Sequence, residues 1–116
     1  MREQNPYHED REELKELLRS YQNLKTGKNH SFLEEDAFER IIDYFDEKDS
    51  LTEALEAAEL GMEYFPYSSQ LMIKKADLLI ATRKYREALV ILEQASLYDS
   101  TDINLYILKT DAFLAL

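Results

Sequence analysis

Three aspartates recur 34 residues apart, Asp43, Asp77 and Asp111, in a chain of 116 residues that holds 24 acidic and 14 basic side chains. Carboxylates can transfer protons in catalysis, or they can bind Arg and Lys through charge-assisted hydrogen bonds. Paired acid and base catalysis requires a cleft that excludes water. The sequence has neither a glycine-rich phosphate loop nor a serine elbow, so we interpret the aspartates as binding groups and expect no enzymatic activity.

Metal ligands are scarce in this chain, which contains no Cys and two His, His8 and His30. His8 is followed by Glu9 and Asp10, but adjacent residues of a helix point to different sides, so these side chains are not expected to share a metal ion. His30 falls in a predicted loop and is interpreted as a solvated polar residue. We expect neither a metal nor any other cofactor. The lack of Cys also excludes disulfides, and it leaves the redox compartment open.

The formal net charge of −10 is carried by the first part of the chain. Residues 1–68 hold 18 acidic and 8 basic side chains, whereas residues 69–116 hold 6 of each. Because a negative field repels phosphate, nucleic acid and membranes are not expected as partners, and a basic or apolar protein partner is favoured. The eight tyrosines are assigned mostly to core positions, which argues against base stacking. The alternative is that the charge forms a solvated surface and keeps the protein soluble.

The composition also bears on location. With 45% hydrophobic residues the chain resembles an ordinary globular protein. No apolar run approaches the roughly 18 to 20 residues of a membrane-spanning helix, and the first residues are too polar for a signal peptide. We therefore expect a cytoplasmic location.

The sequence predicts an all-α fold of about six helices. Gly and Pro occur twice each, which leaves few residues for strand turns, and apolar residues recur at helical spacing. Two capping boxes, Ser31 with Glu34 and Ser50 with Glu53, predict the starts of the second and third helices. The predicted helices span about residues 6–25, 32–48, 51–65, 69–82, 85–98 and 103–116.

One phrase of the sequence is repeated. Glu-Ala-Leu begins at Glu53 and again 34 residues later at Glu87, and each copy is followed at equal distances by Glu and Tyr. A third copy begins near Ile103. A unit repeated at this period cannot bury its apolar face alone, so we expect antiparallel helix hairpins that stack around a shared core.

The period, the helix hairpins and the positions of small residues together resemble the tetratricopeptide repeat. The pattern is carried in residues 35–68 by Phe38, Ile41, Phe45, Leu51, Ala54, Gly61 and Pro66, and in residues 69–102 by Met72, Ala76, Leu79, Tyr85, Ala88, Leu92 and Ala95. The chain departs from the pattern at Ile42, where a small residue is usual, and at Asp49 and Arg83, where Gly is usual.

The resemblance implies a division of the chain. Residues 1–30 would be an N-terminal capping helix and loop, and residues 31–116 would be the array. Within the array, residues 35–68 would form the first repeat, residues 69–102 the second, and residues 103–116 the first helix of a third. The chain is interpreted as the N-terminal repeats of a longer, bacterial-type array.

The family resemblance further implies a right-handed α-α superhelix, whose first helices line a concave groove that binds peptides or partner helices. In this chain the groove residues would be Asp36, Glu39, Asp43, Asp46, Ile73, Asp77, Ile80, Ile107 and Asp111. Such an acidic and apolar groove would suit a basic or mixed basic-apolar peptide, because carboxylates bind Arg and Lys well. We therefore expect a non-catalytic scaffold for protein binding. The alternative is that the aspartates are solvated helix residues.

Some members of the family clamp acidic chaperone C-termini with Lys, Asn and Arg. Glu39 and Asp43 occupy two of the corresponding positions here and would repel a carboxylate. Only Lys74 and Asn104 retain suitable chemistry, so this kind of ligand is not expected.

A second hypothesis is self-association of the chain as a homodimer. The predicted helix 103–116 has no following helix in this sequence, so Tyr106, Phe113 and Leu114 would stay partly uncovered. Exposed apolar patches of this kind promote association. A ligand-sensing helical domain is a third hypothesis, and it would need a closed apolar pocket that the sequence does not define.

Overall fold

The computed structural model of the protein describes residues 6–28 and 31–116, with side chains from residue 11 onward. These residues form six helices and no strand, so the predicted all-α fold is confirmed. The helices are α1 (Pro6–Thr26), α2 (Glu35–Glu47), α3 (Leu51–Tyr64), α4 (Ser69–Ala81), α5 (Tyr85–Tyr98) and α6 (Ile103–Ala115).

Corresponding helices keep the spacing of the sequence. Helices α2, α4 and α6 begin 34 residues apart and have 13 residues each, and α3 and α5 begin 34 residues apart and have 14 residues each. Each helix packs against the next one along the chain, and α4 also contacts both α2 and α6. This packing is consistent with a helical repeat.

The turns between α2 and α3 and between α4 and α5 have the same backbone conformation. Asp49 and Arg83 occupy equivalent positions and are left-handed, with φ values of 62° and 65°. Ser50 N donates to Phe45 O at 2.8 Å, and the equivalent bond in the second turn has the same length. These are the long hydrogen bonds of a Schellman motif. The left-handed residue lets each pair of helices reverse direction within a short turn.

The two predicted capping boxes are wrong. Helix α2 begins at Glu35, and its N-cap residue Glu34 makes no side-chain cap hydrogen bond. Leu33, just before this start, is buried, and residues 31–34 are not helical. Ser50 is the N-cap of α3, but its side chain makes no cap bond either. The N–H that a box would satisfy in Ser50 already donates to Phe45 O, so the reciprocal bond from Glu53 cannot form.

Side-chain caps form instead at the starts of α4 and α6. Ser68 Oγ accepts from Leu71 N at 3.1 Å, and Asp102 Oδ1 accepts from Asn104 N at 2.9 Å. In both turns the preceding helix ends well before the capping residue, so the capping side chain is not competing with a Schellman turn.

The core runs along the stack in two clusters, one mainly from α1 to α3 and the other mainly from α4 to α6. Its largest fully buried side chains are Phe38, Ile41, Ile42, Leu71, Leu92 and Leu105. Ile42, the departure from the family pattern, is 2% exposed and packs within the first cluster. Tyr21 of α1 is buried in the same cluster, so α1 covers one side of α2.

Ion pairs between successive hairpins repeat with the helices. Glu59 of α3 lies 3.5 Å from Lys75 of α4, and the equivalent residues Glu93 and Lys109 lie 2.6 Å apart. The glutamates are largely exposed, so each pair is worth at most about 1 kcal/mol. The repeated position indicates that α3 meets α4 in the same way as α5 meets α6.

Candidate functional site

Helices α2, α4 and α6 lie side by side and carry all nine of the predicted groove residues. Because α4 lies between α2 and α6, the carboxylates of three helices come together. We call the surface formed by Asp36, Glu39, Asp43, Asp46, Asp77 and Asp111 the acidic face. Glu39 is half-buried, and the other five residues are exposed.

Asp77 is at the centre of the acidic face. Its side chain is exposed, but the surrounding helices remove part of the hydration of its carboxyl and raise its pKa above the ordinary value of 3.8, and the charges of Asp46, Asp111 and Asp43 raise the pKa further. Lys74 acts in the opposite direction. Since the first two of these aspartates lie on α2 and α6, the electrostatic field at Asp77 depends on the packing of all three helices.

Glu39 shows the same effect one turn before Asp43 on α2. Loss of hydration on burial raises the pKa of its carboxyl, and Glu35, Asp43 and Asp36 raise it further, while Lys74 lowers it. Neighbouring carboxylates therefore repel the ionised forms of both Glu39 and Asp77. Repulsion of this kind favours binding of a cation, because the cation relieves it.

Lys74 is the basic side chain that acts on both Asp77 and Glu39. Its Nζ lies 2.8 Å from Asp43 Oδ1, and this bond joins α4 to α2. The lysine side chain is 26% exposed and the aspartate side chain 53% exposed. The sequence analysis identified both residues separately but did not predict their pairing, because it depends on the relative positions of two helices.

The apolar members of the predicted groove are placed differently from one another. Ile73 is 6% exposed and belongs to the core between α4, α5 and α6, so it offers little surface to a partner and is removed from the candidate site. Ile80 is half-buried and packs against the same core. Ile107 on α6 is 50% exposed. The apolar wall of the candidate site is thus smaller than the sequence predicted.

Comparison of the chain with protein-family models, curated proteins and solved structures found no match. A functional interpretation therefore depends on the residues and their geometry.

A second surface was not predicted. Three tyrosines mark it, Tyr64, Tyr67 and Tyr98, which are 48%, 72% and 50% exposed. Tyr67 lies between α3 and α4, and its ring contacts that of Tyr98 with centroids 5.4 Å apart. The signal was present in the sequence, since Tyr64 and Tyr98 are 34 residues apart at the ends of α3 and α5. Tyr64 and Tyr98 are the last residues of their helices. No neighbouring helix covers a side chain at such a position, even though the repeat pattern assigns it to the core.

Other kinds of site receive no support within the described residues. No group of three or more His, Asp or Glu side chains there is arranged to hold a metal ion. None of the described helices is both long enough and apolar enough to cross a membrane. The side chains of His8, Glu9 and Asp10, and all of His30, lie outside the described part of the chain.

Proposed function

We propose that this chain is a non-catalytic protein-binding scaffold of the tetratricopeptide type, which binds a basic or mixed basic-apolar peptide on its acidic face. In this proposal α2, α4 and α6 form the inner surface of a right-handed superhelix. The proposal is supported by the 34-residue spacing of helices, turns and ion pairs, and by the sequence pattern of residues 35–102.

The proximity of Asp46, Asp77 and Asp111, which three adjacent helices bring together, is the observation that carries the proposal. Loss of hydration and the charges of three neighbouring aspartates raise the pKa of Asp77 in the unbound protein, while Lys74 lowers it. An Arg or Lys side chain placed among them would form charge-assisted hydrogen bonds and would reduce the repulsion at the same time. A carboxylate or phosphate ligand would increase the repulsion, so the acidic face selects for cations.

Lys74 limits how much cationic charge the acidic face can accept. Because it already pairs with Asp43, the side of the face near α2 is partly neutralised. Asp77 and Asp111, which no described salt bridge involves, remain available on α4 and α6. Exposed Ile107 on α6 supplies an apolar contact close to them. A peptide with basic and apolar residues fits this part of the face better than a purely basic one.

Calorimetric titration of the purified chain tests the proposal. The probe is a synthetic peptide of alternating Arg and Leu, and a peptide of alternating Glu and Leu is the control ligand. We expect the Arg peptide to bind and the Asp77→Asn variant to bind it about 10-fold more weakly, since one charge-assisted hydrogen bond is lost. Glu87→Gln, a neutral substitution at an exposed residue of α5, is the matched control and should leave affinity unchanged.

Two results would refute the proposal. One is equal affinity of the unmodified chain, Asp77→Asn and Asp111→Asn for the Arg peptide. The other is a set of NMR chemical-shift changes on α3 and α5 without changes on α4 and α6. A cellular partner recovered by the unmodified chain should be lost when Asp43 and Asp77 are both replaced by Lys.

Self-association is a second candidate function, and the exposure of α6 favours it. Tyr106, Ile107 and Phe113 are 49%, 50% and 64% exposed. The equivalent residues of α4 are Met72, Ile73 and Leu79, which are at most 6% exposed. The same face is therefore covered on α4 and open on α6, and a second copy of the chain could cover it.

Sedimentation velocity over a range of concentrations tests the second candidate. We expect a dimer that dissociates in the Phe113→Ser variant. Val90→Ser on α5 is the matched control, because Val90 is 61% exposed and lies outside α6. A monomer at all concentrations would exclude self-association.

A further inference from the structure

Exposed aromatic side chains gather at one end of the helices. We call the surface formed by Phe32, Tyr64, Tyr67 and Tyr98 the aromatic edge, and these residues are 65%, 48%, 72% and 50% exposed. They lie before α2, at the end of α3, before α4 and at the end of α5. All four positions are therefore at the end of the stack where α2 and α4 begin and α3 and α5 finish.

Two pairs of rings are in contact at the aromatic edge. Phe32 contacts Phe65 with centroids 6.4 Å apart, and Tyr67 contacts Tyr98 at 5.4 Å. Between these pairs is an open cleft of about 320 Å³, lined by Glu35, Tyr64, Phe65, Pro66, Tyr67 and Ser68. Rings fixed against one another lose little freedom when a ligand binds.

The hydroxyl groups of the aromatic edge can act as hydrogen-bond donors to a ligand. Among the exposed tyrosines of the described chain, Tyr106 is the one whose hydroxyl bonds to the protein, donating to Ser100 O at 2.6 Å. The hydroxyls of Tyr64, Tyr67 and Tyr98 can therefore donate outward. A ligand that suits them has apolar surface for the rings and free backbone carbonyls for the hydroxyls.

Charge is distributed one-sidedly at this end of the molecule. The segments 31–35, 63–70 and 97–104 contain five acidic residues and no Lys or Arg: Glu34, Glu35, Glu63, Asp99 and Asp102. The turns at the opposite end contain Lys48, Arg83 and Lys84. A ligand of the aromatic edge should therefore carry positive charge.

We propose that the aromatic edge binds a proline-rich segment of a partner protein, in the polyproline II conformation and with Arg or Lys beside the prolines. A polyproline II helix makes no internal hydrogen bonds, so its carbonyls are free to accept from the tyrosines. A polyproline II helix is also ordered before binding, so it loses little conformational entropy when it binds. Aromatic surfaces recognise it because of its free carbonyls and its preformed conformation. Glu34, Glu35 and Glu63 attract the flanking Arg or Lys, whereas Asp99 and Asp102 already accept hydrogen bonds from Thr101 N and Asn104 N.

The same charges disfavour the other occupants of such a surface. A second copy of the chain in a two-fold contact would bring the five acidic residues of one edge against those of the other. Single-stranded nucleic acid could stack on the rings, but its phosphates would be repelled. The proposed site lies at the helix ends and does not involve Asp77 or Asp111.

Fluorescence-anisotropy titration tests the proposal. The probe is a labelled decaproline followed by three arginines, and the control probes replace the prolines by Gly and Ser or the arginines by Glu. We expect the first probe to bind best. Tyr67→Ala and Tyr98→Ala should each weaken its binding about 5-fold, as expected for loss of an aromatic contact. Glu35→Gln should weaken it and reduce its salt dependence.

Matched variants separate this site from other surfaces. Phe113→Ala removes an aromatic ring that is 64% exposed on α6, outside the aromatic edge, and Glu87→Gln removes an exposed carboxylate of α5 that belongs to neither proposed site. Both should leave decaproline binding unchanged. Thermal denaturation of Tyr67→Ala and Tyr98→Ala should show an intact fold, since both rings are half exposed or more.

Three outcomes would overturn the proposal. Equal affinity for the proline and the Gly-Ser probes would show attraction by charge alone. Loss of binding in Asp77→Asn with no effect of Tyr67→Ala would move the site to the acidic face. A dimer that Tyr67→Ala dissociates would show that a second copy occupies the edge.

Discussion

Tyr21 is a buried residue with an unsatisfied polar group. It is 2% exposed, and its hydroxyl has no hydrogen-bond partner within the described structure. The ring packs against Phe45, and Lys25 Nζ lies 5.4 Å from the ring centroid. Burial, together with the charges of Glu56 and Glu53, raises the pKa of Tyr21 to about 12.

The first prediction is that Tyr21→Phe stabilises the protein. The substitution keeps the ring and removes the unsatisfied hydroxyl, so we expect the free energy of unfolding to rise by about 1 kcal/mol. Tyr44→Phe is the control, since Tyr44 is half-buried and packs against the same Phe45, and its effect should be near zero. Urea denaturation measures both. A loss of stability in Tyr21→Phe would mean that the hydroxyl has a favourable partner.

The raised pKa of Tyr21 gives the same prediction a pH dependence. An unfolded tyrosine ionises near its ordinary pKa of 10, while the folded one resists ionisation up to about 12. The unfolded chain therefore loses the Tyr21 proton at a lower pH than the folded protein does. The free energy of unfolding is unaffected by this group below pH 10 and falls as pH rises from 10 through 12. The advantage of Tyr21→Phe over the unmodified chain should therefore grow across this range.

Arg83 gives the second prediction. Its φ of 65° is a left-handed conformation that costs a residue with a Cβ about 1 kcal/mol or more. We expect Arg83→Gly to raise the free energy of unfolding by about 1 kcal/mol, because Gly adopts this conformation without strain. Arg86→Gly, the same change within α5, should instead lower it by about 1 kcal/mol. Equal effects of the two substitutions in urea denaturation would contradict this explanation.

Such residues mark the limit of what the sequence could predict. The resemblance identified Arg83 and Asp49 as turn residues, and their backbone conformations agree with that position. Tyr21 was predicted on the apolar side of the first helix, but the lack of a partner for its hydroxyl depends on which atoms surround it. The sequence alone does not contain that information.

At the scale of elements, helices α2 and α3 meet through a very small residue. A Cβ added at Gly61 would lie 3.0 Å from Phe38 Cγ and 3.1 Å from Leu71 Cδ1. The equivalent residues of the second hairpin are Ala95 and Met72. Phe38 packs against Gly61 in the first hairpin, and the equivalent pair in the second hairpin is Met72 and Ala95. The larger ring of Phe38 is thus matched by the smaller residue.

The third prediction is that Gly61→Ala destabilises the protein unless Phe38 changes as well. Alanine favours the helix by up to about 1 kcal/mol, but overpacking against a fully buried ring costs about 1 to 3 kcal/mol. We expect a net loss of about 1 kcal/mol. In the double variant with Phe38→Met, the two effects should couple favourably by about 0.5 kcal/mol or more. Additive effects in this double-mutant cycle would show that the two side chains do not compete for space.

Helix boundaries show why the elements were predicted well and their caps were not. The hydrophobic spacing indicated α4 at residues 69–82, and the helix is Ser69–Ala81. The start of α2 was predicted too early: Ser31 and Glu34 satisfy the spacing of a capping box, but residues 31–34 are not helical and Leu33 is buried. Spacing along the chain determines the helix, whereas its ends depend on tertiary packing.

At the scale of the whole molecule, the number of neighbours decides which helix faces are covered. Ile73 and Ile107 are equivalent in sequence, but within the described residues α4 contacts α2, α3, α5 and α6, whereas α6 contacts α4 and α5. One isoleucine is therefore buried and the other is half exposed. The sequence pattern treated them alike and placed both in the groove. The three aspartates were assigned to one surface, and their mutual electrostatic effect at Asp77 agrees with that assignment.

The fourth prediction concerns Asp77, whose environment is built by three helices. Its raised pKa means that the folded protein holds this proton more tightly than the unfolded chain does. Protonated Asp77 therefore contributes its full share to the free energy of unfolding below pH 3.8, the ordinary pKa. That share is lost as pH rises through the raised pKa of the folded protein. At neutral pH the ionised carboxylate is repelled by its neighbours, so Asp77→Asn should raise the melting temperature there.

The same substitution should have opposite effects on stability and on binding. Melting curves of the unmodified chain and Asp77→Asn should differ at neutral pH and converge below pH 3.8, where the aspartate is protonated. Glu87→Gln is the control, because Glu87 is exposed and does not act on the pKa of Asp77. If the acidic face binds a basic peptide, Asp77→Asn should bind it more weakly although it is more stable. A destabilising carboxylate that improves binding is what a functional site predicts, whereas a solvated aspartate would change neither property.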